Sequence, residues 1–179
     1  MARNVQLVLL CEDTQQETFA RRFLNKAGWS TRRMRVQRGQ SGSAEQFVRE
    51  RYPMELSAYR SKAHQVDQAL IVLIDGDNRG MAGRLDQLAA ACEGENIELR
   101  KDGERVAIFV PTWRIETWFA YLDGTDIDET KSNYPRLDRP RDCQRHVNAL
   151  YEMCHQGNLR QPAPQSLDAA CEEYRERLK

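Results

Sequence analysis

The sequence predicts an α/β fold with a mostly parallel sheet and helices on both faces. Residues 71–77 form a short apolar run that ends in acidic residues, which is typical of a strand buried on both faces. Residues 5–11 have the same pattern, and acidic residues again follow at once. Segments with helical spacing of apolar residues alternate with these short runs, as expected of β-α-β units. The chain is therefore predicted to have a central parallel sheet.

The first part of the chain is predicted to be strand, helix, strand. The first strand covers residues 5–11. Thr14 is a candidate N-cap for the helix, because Glu17 stands at the capping-box spacing from it, and Gly28 is expected to end that helix. Residues 31–37 alternate apolar and basic side chains and predict the second strand.

The remaining elements follow from the same signals. A glycine- and serine-rich turn at residues 39–43 leads into a helical stretch that Pro53 is expected to interrupt. The later elements are expected to be a strand at 71–74, a helix after Gly80, a strand at 105–110, a helix over residues 113–122, a loop at 123–140, and helices at 141–155 and 166–178. Residues 1–125 are expected to form the α/β domain, with residues 126–179 as a helical C-terminal extension packed on the same domain.

Composition limits the class of protein. The chain has 179 residues, of which 40% are hydrophobic and 30% charged, and these values indicate a globular rather than a disordered chain. The formal net charge is +0, so the chain as a whole is not a polycation. No apolar stretch approaches the length of a membrane span, and no signal peptide is recognisable. A cytoplasmic protein without a membrane partner is therefore expected.

The cysteines give no metal motif. The chain has 5 cysteines and no Cys-X-X-Cys pair, so reduced thiols in the cytoplasm are expected. Cys143, His146, Cys154 and His155 lie near one another in sequence, but their spacing fits no standard zinc finger.

Three acidic residues end two of the predicted strands. Asp75 and Asp77 lie on one side of an extended chain, because side chains alternate along a strand. Glu12 follows the first strand. If the two strands are parallel neighbours, the three carboxylates converge at the edge where open α/β sheets bind ligands. A hard cation removes the repulsion between them, so the pattern predicts a Mg²⁺ or Mn²⁺ site. The alternative is a tight turn, which Asp and Gly also favour.

These residues carry a resemblance to a known family. Residues 9–17 and the Asp-X-Asp of residues 73–77 resemble the TOPRIM domain of topoisomerases, primases and overcoming-lysogenization-defect nucleases. Residues 111–118 are similar to the Glu-X-Trp segment of small stand-alone TOPRIM-like proteins of bacteria. One departure is that the usual Glu-Gly after the first strand is Glu12-Asp13 here. The resemblance implies a TOPRIM-like, Rossmann-like sheet and metal-dependent chemistry on nucleic acid.

Glu116 is the candidate for a further metal ligand. It stands between Trp113 and Trp118 in a strongly apolar segment, and a second metal ion would need more carboxylates. Because a buried glutamate without a partner costs energy, either Arg114 or another cation pairs with Glu116, or it faces the metal site. The candidate catalytic and metal-binding residues are Glu12, Asp75, Asp77 and Glu116.

A basic segment without acids runs from Arg21 to Arg38. A basic surface beside carboxylates suits an enzyme that acts on phosphodiesters, because phosphate contacts supply most of the affinity for nucleic acid. The alternative is a solvated basic face. Arg79, shortly after the acidic motif, is expected either to clamp a phosphate or to pair with Asp77. The candidate nucleic-acid-binding residues are Arg32, Arg33, Arg35, Arg38 and Arg79.

The predicted function is Mg²⁺-dependent hydrolysis of nucleic-acid phosphodiesters, with DNA favoured over RNA as the partner. The family resemblance adds a role in bacterial defence against phages or plasmids. Two alternatives stay open. One is a non-catalytic TOPRIM-like subunit that binds an ATPase or another protein, and the other is phosphoryl transfer or hydrolysis on a nucleotide. The lack of a GxGxxG motif argues against a dinucleotide enzyme.

Overall fold

A computed structural model describes residues 5–40 and 42–179 of the chain. Residues 1–4, at the start of the predicted α/β domain, and Ser41, in the predicted glycine- and serine-rich turn, lie outside the described residues. The elements are β1 (Gln6–Cys11), α1 (Thr14–Lys26), β2 (Arg35–Arg38), α2 (Ala44–Lys62), β3 (Gln68–Leu73), α3 (Gly80–Gly94), β4 (Val106–Phe109), α4 (Ile115–Leu122), a 3₁₀ turn (Pro140–Cys143), α5 (Gln144–Gln156) and α6 (Gln165–Arg177).

The strands of the described residues form one parallel sheet in the order β2-β1-β3-β4. β1 and β3 are neighbours along their whole length, with Gln6 opposite Gln68 and Cys11 opposite Leu73. The prediction of an α/β fold with a parallel sheet is confirmed, and the arrangement is consistent with a Rossmann-like fold. The two strands that precede the predicted acidic residues end side by side.

Helices cover both faces of the sheet, because alternate residues of the strands point to opposite sides. Leu9 and Ile71 face one core, which contains buried residues of α1, α4, α5 and α6. Leu10 and Val72 face a second core, which contains buried residues of α2 and α3. After Gln6 and Gln68 at their starts, the central strands are therefore apolar, as the sequence indicated. No helix among the described residues is both long and apolar enough to cross a membrane.

α6 closes one side of the sheet. Glu173 Oε1 accepts a hydrogen bond from Ile108 N of β4 at 2.9 Å, so a side chain occupies the hydrogen-bonding edge of the last strand. Cys154 of α5 and Cys171 of α6 form a disulfide. This pair differs from the expectation of reduced thiols, whereas the three remaining cysteines, Cys11, Cys92 and Cys143, are free and buried.

A cavity of about 60 Å³ lies in the core between α1, the sheet and α6. Its lining is apolar and includes Phe19, Leu73, Leu167 and Ala170. The cavity shows that packing is incomplete on this face.

α1 begins differently from the prediction. Asp13 Oδ1 accepts a hydrogen bond from Gln16 N at 2.9 Å, and Asp13 has the extended backbone of an N-cap. Thr14 is therefore the first helical residue and not the cap. Aspartate is a preferred N-cap, so Asp13 has a structural role at the start of α1.

β2 and α2 also differ from their predicted limits. Met34 N donates to Thr31 O at 3.2 Å and closes a turn, so β2 begins only at Arg35. The expected alternation of Arg32 and Arg33 along a strand is therefore wrong. α2 is not interrupted, since Pro53 lies buried within it.

Candidate functional site

Glu12 and Asp75 meet at the carboxyl edge of the sheet because β1 and β3 are parallel neighbours. Glu12 Oε1 accepts a hydrogen bond from Asp75 N at 2.6 Å. Gln16, in the first turn of α1, bridges the two strand ends: its Oε1 accepts from Glu12 N at 2.9 Å, and its Nε2 donates to Asp75 Oδ1 at 3.0 Å. Gln16 is fully buried, so both ends of its amide are used in a fixed orientation.

Asp75 also holds the start of α4. Its Oδ1 accepts a hydrogen bond from Ile115 N at 3.1 Å, which satisfies an N–H in the first turn of that helix. Arg114, at the N-cap position, provides no side-chain hydrogen bond there. Asp75 therefore has a structural function as well as a place in the acidic site.

Asp77 is paired with a buried arginine. Asp77 Oδ2 accepts from Arg84 Nη2 at 3.0 Å. Arg84 is 3% exposed, and it also donates to Asp75 O and to Glu45 Oε2, both at 2.9 Å. These bonds connect α2 and α3 to the loop that carries Asp77, so Arg84 positions the loop.

The backbone around Asp77 is strained. Asp77 and Trp113 have φ values of 46° and 58°, and Asp77 N donates to Trp113 O at 2.8 Å. A bulky residue with positive φ is an outlier, and such residues concentrate at functional sites. Gly76 lies against the same loop, where a Cβ would stand 2.8 Å from Pro111 O, so only glycine fits.

Glu116 completes the acidic group. It lies in the first turn of α4 and is 6% exposed. Its Oε1 accepts from Gln15 Nε2 at 3.1 Å and lies 3.4 Å from Arg136 Nε. The cation that pairs with Glu116 is thus Arg136 rather than Arg114. The residues Glu12, Asp75, Asp77 and Glu116 are called the carboxylate cluster below.

The surroundings of Glu12, Asp75 and Asp77 disfavour their charged forms. Burial raises the pKa of Glu12 to about 7, and the charge of Asp77 adds to this effect. Burial, followed by the charges of Glu12 and Glu116, raises the pKa of Asp75 well above its usual range. Burial also raises the pKa of Asp77, although Arg84 opposes that shift. Acids whose charges raise one another's pKa values form an environment that a divalent cation would stabilise.

The oxygen atoms of the carboxylate cluster fit a hard cation chemically. In each of the four side chains one oxygen takes part in a hydrogen bond or ion pair, while the other has no such partner among the described residues. Oxygen donors of this kind are those that Mg²⁺ and Mn²⁺ prefer. Within residues 5–40 and 42–179, however, no three His, Cys, Asp or Glu side chains are already arranged as a coordination group. Instead, Glu12 accepts a hydrogen bond from Asp75 N, and Asp77 accepts one from Arg84.

The predicted basic residues do not form one surface. Arg32 and Arg33 are exposed in the turn before β2, at the amino end of that strand and away from the carboxylate cluster. Arg35 is bound to Glu55 through two hydrogen bonds, at 3.1 and 2.5 Å. At the carboxyl end of β2, Arg38 Nη1 lies 2.7 Å from Glu17 Oε2.

Two exposed arginines do lie at the carboxyl edge. Arg79 precedes α3 and Arg114 precedes α4, and neither makes an ion pair within the part of the chain that the structure describes. The charge of Arg114, like that of Arg84, opposes the rise that burial causes in the pKa of Asp77, so Arg114 lies within electrostatic reach of the carboxylate cluster.

Three residues of the site were not found from the sequence. Gln16 lies on the buried stripe of α1 with Ala20 and Leu24, and Arg84 occupies the corresponding place on α3. A polar residue at a core position of an amphipathic helix is a signal that could have identified both. Arg136 has no such signal, because it stands in an irregular loop.

Comparison with family models found no match, and comparisons with curated proteins and with solved structures found no significant similarity.

Proposed function

We propose that this chain is a TOPRIM-like, Mg²⁺- or Mn²⁺-dependent nuclease that hydrolyses phosphodiesters of nucleic acid. The observation that supports the proposal is the Glu12–Asp75 pair. The two acids lie at the carboxyl edge of adjacent parallel strands, Glu12 Oε1 accepts a hydrogen bond from the backbone N of Asp75 at 2.6 Å, and both side chains have raised pKa values. Ligand sites of open α/β sheets lie at this edge.

Each residue has a distinct part in the proposed chemistry. Glu12 and Asp75 would hold the cation, with Glu116 and Asp77 as further ligands. When bound, the metal would supply an activated water and neutralise charge on the scissile phosphate. Gln16 orients the Glu12–Asp75 pair, and exposed arginines of the carboxyl edge bind the phosphate backbone.

Metal titration of Asp75→Asn tests the proposal. The asparagine keeps an oxygen that can accept from Ile115 N and Gln16 Nε2, whereas alanine would also remove the support of α4. Calorimetry should show Mn²⁺ binding by the native chain and a loss of at least about tenfold in affinity in Asp75→Asn, with loss of Mg²⁺-dependent cleavage of DNA. The exposed Asp86→Asn on α3 is the matched control and should behave as the native chain does. Equal Mn²⁺ affinity in Asp75→Asn would contradict the proposal.

The second candidate function is a non-catalytic TOPRIM-like subunit that binds an ATPase or another protein. It is favoured by the side chains that are already engaged within the chain, above all Asp77 with Arg84 and Glu12 with Asp75 N. In that case neither Mn²⁺ nor Mg²⁺ should bind at the carboxylate cluster. The same titration therefore separates the two functions.

A further inference from the structure

Arg136 contacts the carboxylate cluster from the surface of the molecule. Its Nε is 3.4 Å from Glu116 Oε1, and its side chain is 70% exposed whereas that of Glu116 is 8% exposed. Across the described residues, Arg136 has no other ion pair or hydrogen bond through its side chain. A buried glutamate is thus neutralised by a side chain that otherwise lies in solvent.

The other arginine at the cluster is held much more firmly. Arg84 is 3% exposed and donates to Asp75 O, Asp77 Oδ2 and Glu45 Oε2. If Arg84 left, buried acceptors would lose their donor, which is costly. Within the described part of the chain Arg136 pairs only with Glu116, and water can solvate its exposed guanidinium when it leaves, while a bound cation would neutralise Glu116 in its place. Of the two arginines, Arg136 is therefore the one that can be displaced.

The backbone that carries Arg136 is anchored beside the site. Leu137 packs against the core next to it. Glu129, earlier in the same loop, accepts from Thr112 Oγ1 at 2.7 Å and from Gln165 N at 3.1 Å. Rotation of the Arg136 side chain alone would release Glu116, and the guanidinium would remain within reach of anything bound at the cluster.

We propose that Arg136 is a displaceable counterion that becomes a phosphate-binding residue. In the metal-free protein it neutralises Glu116, and once a divalent cation is bound it contacts a phosphate of the nucleic acid. This inference rests on the proposed function. A cation held by the carboxylate cluster repels the guanidinium. The planar guanidinium then matches a phosphate, which it can bind through two hydrogen bonds.

Metal affinity in the absence of nucleic acid tests the role of Arg136 as the counterion of Glu116. Arg136→Gln removes the competing charge, so Mn²⁺ affinity measured by calorimetry should rise, by about two- to fivefold if the pair is as weak as its exposed cation indicates. Arg136→Lys keeps the charge and should stay close to the native value. Arg139→Gln is the matched control, because Arg139 is 60% exposed in the same loop and pairs with Asp142 instead.

Nucleic-acid affinity tests the role of Arg136 as a phosphate-binding residue. It should fall in Arg136→Gln, whereas Mn²⁺ affinity should rise. In Ca²⁺, which is used to prevent cleavage, Arg136→Gln should bind a duplex oligonucleotide several-fold more weakly than the native chain. The log–log dependence of binding on salt should become shallower by about 0.9, the value for one phosphate contact. Arg139→Gln should leave both quantities unchanged.

The outcomes separate this inference from the proposed function. If Asp75→Asn abolishes Mn²⁺ binding but Arg136→Gln leaves it unchanged, the counterion role is wrong and the metal site stands. If Arg136→Gln raises Mn²⁺ affinity but leaves oligonucleotide affinity unchanged, the proposed phosphate contact is wrong. If the native chain and Arg136→Gln both fail to bind Mn²⁺, the proposed function fails and this inference fails with it.

Discussion

Asp75 shows how one side chain can serve both stability and a site. Its Oδ1 accepts from Gln16 Nε2 and Ile115 N, while its charge lies next to Glu12 and Glu116. A change at such a position alters folding and chemistry together. The neutral isosteric asparagine is therefore the informative replacement.

Glu12 should make the stability of the metal-free protein depend on pH. Its pKa is raised from 4.5 to about 7 by burial, so the folded chain keeps the proton over a range in which the unfolded chain releases it. The free energy of unfolding should therefore fall as pH rises from about 4.5 to about 7, by up to about 3 kcal/mol. Urea denaturation with a chelator, at several pH values, measures the change.

Glu12→Gln should make the fall in the free energy of unfolding with rising pH smaller, because a glutamine still accepts from Asp75 N but does not ionise. Asp75 and Asp77, whose pKa values are also raised, keep their own contributions in this variant. Glu93→Gln is the matched control, because Glu93 is exposed at the C-terminal end of α3. Burial lowers the pKa of His146, which gives stability that is lost as pH falls below 6.5. That contribution is common to all three proteins and cancels when their curves are subtracted. Parallel curves for the native chain and Glu12→Gln would show that Glu12 is not the group responsible.

At the scale of elements, the direction of the strands decides which basic residues are near the carboxylate cluster. The cluster lies at the carboxyl edge of the sheet, as do Arg79 and Arg114 at the starts of α3 and α4. Arg32 and Arg33 lie before β2 and hence at the amino end of that strand. The two pairs, Arg79 with Arg114 and Arg32 with Arg33, carry the same charge and are all exposed, which allows a direct comparison.

The double variant Arg79→Gln/Arg114→Gln should weaken binding of duplex DNA in Ca²⁺. Its salt dependence should be shallower than that of the native chain by about 1.8 on a log–log scale, the value for two phosphate contacts. Arg32→Gln/Arg33→Gln is the matched control and should change the slope little. A larger effect from the control pair would place the nucleic acid at the amino end of β2 and separate it from the carboxylate cluster.

Local patterns predicted most elements because each depends on nearby residues. The apolar runs of β1 and β3 and the amphipathic stripes of α5 and α6 identify their own elements, and they also imply the adjacency of Glu12 and Asp75 through parallel pairing. The cap of α1 was misplaced because Thr14 and Asp13 are both good N-caps.

Long-range partners could not be predicted in the same way. Arg136 meets Glu116 across an irregular loop, and Glu55 neutralises Arg35 from another element. The Cys154–Cys171 disulfide joins two helices that sequence spacing alone does not orient. Such contacts depend on how elements pack, and a single sequence gives no pattern for them.

At the scale of the whole molecule, the apolar cavity between α1, the sheet and α6 marks where stability can be gained. Ala170→Val adds two carbons toward a space of about 60 Å³. The gain from filling it exceeds the helix-propensity cost of valine, so the free energy of unfolding should rise by about 1 kcal/mol. Chemical denaturation measures this difference.

Ala169→Val is the matched control, since Ala169 is the preceding residue of α6 and does not line the cavity. It incurs the same helix-propensity cost without filling space and should destabilise by about 0.5 kcal/mol. If both variants are destabilised equally, neighbouring side chains already close the cavity in solution.

The contact of Glu173 with Ile108 N has a consequence for association with other proteins. A sheet edge with open N–H and C=O groups can accept a strand from another chain. α6 blocks such strand addition beside β4, because a glutamate already uses the Ile108 amide. The opposite border of the described sheet is β2, which is only 4 residues long and carries Arg35 and Arg38 in ion pairs. Strand exchange with a partner or a second copy is therefore confined to a short, charged border, and this protects the sheet against edge-to-edge aggregation.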